Sequence, residues 1–322
     1  MSDQVRREEV RFRSGDINLA GTFTLPPTNG PAAGGPVPAV LMLQGSGRTD
    51  RDDNAKALAV DVFPQLSAAI ERHGLATFRY DKRGVGGSEG DYFGSDLDDL
   101  LTDAVAAVAW LRARPEVDAA RVIALGHSEG AMLSARLAAG AAPVAGAVLL
   151  AGSAMTGEQI LIWQGRQIAQ SLTGISKWVI RLLRIDIVKS QRKALNRIRS
   201  SQGPVARVQG RKINAAWMRQ FMAYDPAPDL ARVEVPVLAV TGDRDLQVDP
   251  DDLDVMRGLV KGPFQALRLS GVTHLLRAEG SKRGLSGYKE QARRPVDPRV
   301  ISAVTGWLAD HAAGTAPPLR AG

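Results

Sequence analysis

The 322-residue sequence contains no cysteine. That absence excludes disulfides, a thiolate nucleophile and any zinc site built on sulfur ligands, and it fits either redox compartment. Long hydrophobic runs are missing too. No apolar stretch reaches the roughly 20 residues that cross a bilayer, and the opening MSDQVRREEV lacks the apolar centre of a secretory signal. A cytoplasmic protein is expected. Histidine is scarce, with four in the chain, so a catalytic base can be sought by elimination.

The rest of the composition is that of a folded protein, with 44% hydrophobic and 23% charged residues. The formal charge of +7 is unevenly spread. Between Arg166 and Lys212, twelve Lys or Arg accompany the single acid Asp186, a local balance of +11 that leaves the remainder at −4. A basic nucleic-acid-binding domain would show a different distribution, so no nucleic acid partner is expected. Contact of this basic segment with a membrane surface is the weaker reading beside a solvated face.

From Val10 to Pro26, two β-like runs flank Ser14-Gly15-Asp16, which predicts an opening hairpin whose second strand carries Leu19, Gly21, Phe23 and Leu25. Short apolar runs bounded by turn residues follow at AVLMLQG, LATFRYD, RVIALGH, AGAVLLAG, PVLAVTG and QALRLSG. Such runs suit strands buried on both faces. Helical patterns lie between them. In one, Leu97, Leu100, Leu101, Ala104, Val105 and Val108 share a face at i, i+3, i+4 spacing. The alternation predicts a mostly parallel central sheet with helices on both faces.

That alternation stops after Gly152, and the next recognisable strand begins near Pro236. The gap is too long for a plain loop. Residues 153–225 are therefore expected to be an inserted helical lid, with 1–152 and 226–312 forming the core. Within the lid, Ile175, Trp178, Val179 and Leu182 form an apolar stripe opposite Lys177, Arg181 and Arg184. The last helix is expected near Val300 to His311, and the tail 313–322 has too few apolar residues to pack.

The run RVIALGH leads into Gly126-His127-Ser128-Glu129-Gly130, and a small-residue helix follows with Ala131, Ser134, Ala135 and Ala138. This is a G-x-S-x-G between a strand and a helix, the setting of a nucleophilic serine on the elbow of an α/β-hydrolase fold. The turn closes only if the residues two positions either side of the serine lack side chains, and Gly126 and Gly130 meet that demand. The serine also needs a base. His127 sits in the motif, with its side chain expected to point away from Ser128. His73 precedes Gly74 at a helix end, and His311 lies near the tail. His274, in SGVTHLL after the last strand, remains.

In this fold the acid follows the nucleophile and precedes the histidine. PVLAVTG ends in Gly242-Asp243-Arg244-Asp245. A tight turn from Gly242 would lift the third residue beyond it into the cleft, which favours Asp245 over Asp243. Asp249, Asp251, Asp252 and Asp254 resemble a calcium loop in composition alone, lacking its glycine and distal glutamate; Asp249, before Pro250, is expected to cap a helix. No metal is expected. For the oxyanion, the Glu129 N–H should serve as one donor. The second is expected from Gln44-Gly45-Ser46-Gly47, with the Ser46 N–H preferred and Gly47 as the alternative. YDKRGVGGSEG is glycine-rich after a strand, but Glu89 stands where a dinucleotide fingerprint needs its third glycine, so a structural turn is expected.

With LQGSGRTDRD, YDKRGVGGS, GHSEG, YDPAPDLARVEVPVLAVTGDRDLQV and THLLRAEG in this order, the chain resembles the bacterial α/β-hydrolases related to serine aminopeptidase-like and dienelactone-hydrolase-like esterases. The resemblance implies cofactor-free hydrolysis of an ester through an acyl-enzyme on a small-molecule acyl substrate. It places Ser128, Asp245 and His274 at the family's triad positions. Gln44 departs from the histidine of many relatives, which puts the hydrogen bonds near the oxyanion loop in question. An acyltransferase, thioesterase or serine peptidase could use the same triad.

Overall fold

The computed structural model describes residues 5–27, 35–171, 186–208, 210–280 and 284–312. The expected apolar stripe around Trp178, the basic residues Lys177, Arg181 and Arg184, and the tail 313–322 lie outside the described residues.

The chain opens with β1 (Arg6–Ser14) and β2 (Ile17–Leu25), paired antiparallel around Gly15-Asp16 as the hairpin signal predicts. There follow β3 (Val37–Leu43), α1 (Val62–Arg72), β4 (Ala76–Tyr80), α2 (Leu97–Arg112), β5 (Val117–His127), α3 (Glu129–Arg136) and β6 (Gly146–Leu150). The next part contains α4 (Gly157–Ser171), α5 (Ile187–Arg199), β7 (Val205–Val208), β8 (Arg211–Asn214), α6 (Ala215–Ala223) and the short α7 (Ala227–Leu230). The chain then continues through β9 (Val237–Gly242), α8 (Asp252–Leu259), β10 (Phe264–Leu269), α9 (Tyr288–Gln291) and α10 (Pro298–Ala312).

Eight strands form one sheet in the order β1-β2-β4-β3-β5-β6-β9-β10, parallel from β4 to β10. Strand β3, in the middle of the sheet, is apolar on both faces because both are covered. In β3, Ala39, Leu41 and Leu43 join a core cluster shared with Leu100, Ala104 and Val108 of α2. The alternate residues Val40 and Met42 join a second cluster, with Phe63 and Leu66 of α1 and Val300 and Leu308 of α10. This is the period of two of a strand carried into two cores. It is the α/β-hydrolase fold expected from the sequence.

The face of α2 differs in detail from the expectation. Leu97, Leu100, Ala104, Ala107, Val108 and Leu111 are buried, while Leu101 and Val105 are half-buried at its edge. The start of α2 is fixed by a capping box, with the Asp96 side chain accepting from the Asp98 and Asp99 N–H groups and the Asp99 side chain returning to the Asp96 N–H.

The long insertion between β6 and β9 is not wholly helical. β7 and β8 form an antiparallel ribbon, with Gly210 at φ 78° in the turn. Arg207, Arg211 and Lys212 interrupt the apolar alternation by which strands are recognised, and each strand has four residues. The insertion has its own small core of Leu195, Ile198, Ala215 and Met222. A second difference concerns Asp249. Helix α8 has Asp251 at its N-cap, and Asp249 instead accepts the Asp251 N–H at 3.0 Å, closing the turn before the helix.

Candidate active site

Four loops at the carboxyl ends of parallel strands meet above the sheet, where α/β folds place their sites. After β3 comes Gln44–Gly47; after β5, Ser128; after β9, Asp245; after β10, His274. Ser128 has φ 55° and ψ −113°, a strained backbone for a residue other than glycine. The strain follows from packing at the elbow. A Cβ on Gly126 would stand 1.9 Å from the Gly130 carbonyl oxygen, and one on Gly130 would stand 1.8 Å from that of Leu43. Strand and helix touch through these two glycines, and the serine between them is pushed out into the cleft.

Asp245 and His274 come together as expected. His274 Nδ1 lies 2.8 Å from Asp245 Oδ2 and 3.0 Å from Oδ1, with both side chains buried. Asp245 Oδ1 also accepts the N–H groups of Gln247 at 2.7 Å and Val248 at 3.0 Å. The tight turn is real: the Asp245 N–H donates to the Gly242 carbonyl, and a Cβ on Gly242 would come within 2.0 Å of the Val272 carbonyl oxygen. Asp243 points elsewhere, accepting from the Gly271 N–H at 2.7 Å and the Ser270 hydroxyl at 3.1 Å.

Two cavities meet at Ser128. The first, with about 640 Å³ of empty space, lies between the core and the insertion. Its walls include Met132, Ile160, Leu161, Trp217 and Phe221, and the rings of the last two stack 4.9 Å apart. The second, of about 530 Å³, is bordered by His127, Ser128, His274, Gln247 and Tyr288. Burial, with Asp245 nearby, pushes the Tyr288 hydroxyl well above its ordinary pKa, and this hydroxyl accepts from Gln247 Nε2 at 3.2 Å.

Ser46, Ser128 and Glu129 all line the first cavity, whereas Gly47 lines neither among the described residues. Glu129 opens α3, where the first N–H groups of a helix have no intrahelical partner. Gln44 lies buried and donates to the Tyr80 carbonyl at 2.9 Å, so its departure from histidine still ties the loop to β4.

Sequence reasoning missed Lys82 and Asp53 here, and the partners of His127. Lys82 is buried after β4, its ammonium 2.5 Å from Glu129 Oε1, 2.7 Å from the Gly45 carbonyl oxygen and 3.5 Å from that of Gly47. One cation thus braces both sides of the expected oxyanion pocket. Asp53 and His127 form a second buried pair, at 2.6 Å. Nothing in local pattern signals these contacts, since Lys82 and Glu129 are 47 residues apart and Asp53 and His127 are 74 apart. A hint lies in the backbone, since Asp53 has φ 66° and Ala151, on the first cavity, φ 49°.

The remaining histidines behave structurally. His73 ends α1, its Nδ1 2.9 Å from the Ala69 carbonyl oxygen. His311 is half-buried rather than fully exposed, stacked on Trp307 at 4.2 Å. The glycine-rich turn after β4 is built around Asp81, which binds Arg51 at 2.7 Å and the Gly87 N–H at 2.9 Å. A Cβ on Gly86 would collide with that carboxylate at 2.2 Å. This is the structural turn expected.

The fold and the elbow define an α/β hydrolase. The chain belongs to the serine aminopeptidase S33 family, whose model matches residues 59–277. It is similar to esterase EstD of Thermotoga maritima, 27% identical over 311 residues that cover 96% of this chain and 70% of EstD. Among solved structures it is similar to Est1E of Butyrivibrio proteoclasticus bound to ferulic acid, with a TM-score of 0.65 at 18% identity, covering 94% of this chain and 99% of Est1E. It is also similar to the Pyrococcus furiosus esterase Pf2001, with a TM-score of 0.55 at 15% identity, covering 84% and 83% of the two chains. No helix among the described residues is long and apolar enough to cross a membrane.

Proposed function

We propose that the protein hydrolyses carboxylic esters through an acyl-enzyme on Ser128. The observation that carries this reading is the buried His274–Asp245 pair, at 2.8 Å, on the same cavity as a strained serine at a strand-to-helix elbow. The Asp245 carboxylate accepts a hydrogen bond from the Nδ1–H of His274, so Nε2 is the basic nitrogen. Nε2 removes the Ser128 proton as Oγ attacks the ester carbonyl. The Ser46 and Glu129 N–H groups receive the developing oxyanion, each donor worth about 3 kcal/mol of barrier. Collapse expels the alcohol, which takes its proton from His274. Water, activated by the same histidine, then releases the acid. The likeness to EstD supports ester hydrolysis.

The insertion acts as a lid over the first cavity. Its aromatic and aliphatic wall suits an apolar acyl group, while the second cavity suits the leaving alcohol. An aminopeptidase would need a carboxylate for the substrate ammonium. The acids bordering the two cavities among the described residues are Glu129 and Asp53, each already paired with a buried cation or imidazole. Ester substrates are therefore favoured over aminoacyl peptides.

A fluorophosphonate should label Ser128. Ser128→Ala should lose the label and on the order of 10⁶-fold in kcat on p-nitrophenyl esters. Undiminished turnover by the alanine variant ends the serine-hydrolase reading.

A further inference from the structure

His127, just before the nucleophile, has both ring nitrogens engaged. Nδ1 lies 2.6 Å from Asp53 Oδ2, and Nε2 lies 2.9 Å from the His274 carbonyl oxygen. A carbonyl only accepts, so Nε2 carries a proton. The Nδ1–Oδ2 contact then needs a second proton, or lone pairs would face each other across it. The pair thus holds one proton more than a neutral histidine beside an ionised aspartate.

The other Asp53 oxygen accepts the Gly45 N–H at 2.7 Å. The Gly45 carbonyl belongs to the same peptide unit as the Ser46 N–H, and it takes the Lys82 ammonium at 2.7 Å and the Thr49 hydroxyl at 2.9 Å. A continuous chain of bonds therefore runs from the expected oxyanion donor, through Asp53 and His127, to the backbone of His274. The ester chemistry above transfers none of its protons.

We infer that Asp53 and His127 are a second acid–base dyad, a positioning pair whose shared proton holds the Ser46 loop and the His274 loop in register, so that turnover falls when this proton is lost at alkaline pH. The inference rests on the triad reading above. Electrostatics agree with the geometry. Burial opposes charge on His127, but the charge and hydrogen bond of Asp53, then the His274 carbonyl and the Asp245 charge, outweigh it and raise the pKa above the ordinary value. The titratable groups facing the ring are Asp53, Asp245 and the His274 ring, whose centroid is 5.0 Å away; Arg277 adds a buried cation acting on Asp53. Because the folded value is raised, the stability this pair contributes is full below the unfolded value of about 6.5. It is lost as pH rises through the folded value.

The test is kcat and KM on a neutral p-nitrophenyl ester between about pH 6 and about pH 10, for the parent, Asp53→Asn and Asp53→Ala, with melting temperatures across the same range. An asparagine can donate to His127 Nδ1 and accept from Gly45, keeping every bond without the extra proton. The parent should lose kcat on the alkaline side. Asp53→Asn should keep more than about a tenth of the parent kcat near neutrality, without that alkaline limb, and its melting temperature should fall less as pH rises. Asp53→Ala should lose about 100-fold in kcat with KM changed only a few-fold, the size of a displaced oxyanion donor. The same alkaline limb in Asp53→Asn as in the parent, or parental kcat in Asp53→Ala, overturns the inference. If the alanine variant does not fold, the asparagine profile decides alone. Absent fluorophosphonate labelling of Ser128 in the parent means that the triad reading has failed instead.

Discussion

Asp243 and Asp245 stand two residues apart on one turn and have different surroundings. Asp245 is buried against His274 and two backbone N–H groups, whereas Asp243 ties down Ser270 and Gly271 at the rim. Asp245→Asn keeps the shape but favours the wrong imidazole tautomer, so kcat should fall on the order of 10⁴-fold with the fold intact. Asp243→Asn should lose less than about tenfold, since it removes a charge from exposed loop bonds. Steady-state kinetics of the two variants, with circular dichroism as a check of folding, decide the assignment; the reverse order refutes it. The positions of Ser128, Asp245 and His274 were legible because chain order, strand ends and the shortage of histidine each restricted the choice. Asp53 and Lys82 were not, since their partners are set by how separate strand ends converge, which no local spacing encodes.

The strand-to-helix elbow has no room for change. Gly130→Ala would drive a methyl into the Leu43 backbone, at 1.8 Å, so β3 and α3 must separate. The variant should lose about 3 kcal/mol of stability and fluorophosphonate labelling together, read by denaturant unfolding and by gel fluorescence. A stable variant with parental labelling would show that the elbow can relax. The same elements explain what the sequence revealed of the fold. Strands β3, β4, β5, β6, β9 and β10 of the main sheet contain short apolar runs bounded by turn residues, so their positions were plain. The β7–β8 ribbon lies at the surface of the insertion, where arginine and lysine occupy the outward positions and erase the contrast that marks a strand.

Across the whole molecule, charge is concentrated on the insertion. On α5, Lys189, Arg192, Lys193 and Arg197 are exposed, while Leu195 and Ile198 turn inward. A basic surface beside a cleft attracts anions over distances that salt screens within about 8 Å at physiological ionic strength. An ester with an anionic acyl group should therefore lose kcat/KM as salt rises, whereas a neutral ester of equal length should not. Replacing the four basic residues by glutamine should shrink that difference and spare the neutral ester. Parallel salt curves in the parent would show that this surface does not steer substrate.

Strands β6 and β9 are hydrogen-bonded neighbours, and the entire insertion departs from one and returns to the other. A segment whose two ends already lie side by side needs no rethreading of the sheet when its length changes, and doubling a loop costs only about 0.6 kcal/mol in closure entropy. The insertion is in this sense an exchangeable cassette. Ser128, Asp245 and His274 belong to loops outside it, while Ile160, Leu161, Trp217 and Phe221 belong to it. Divergence in what the protein accepts can thus proceed by rewriting one continuous stretch of chain, leaving Ser128, Asp245 and His274 on the scaffold beneath.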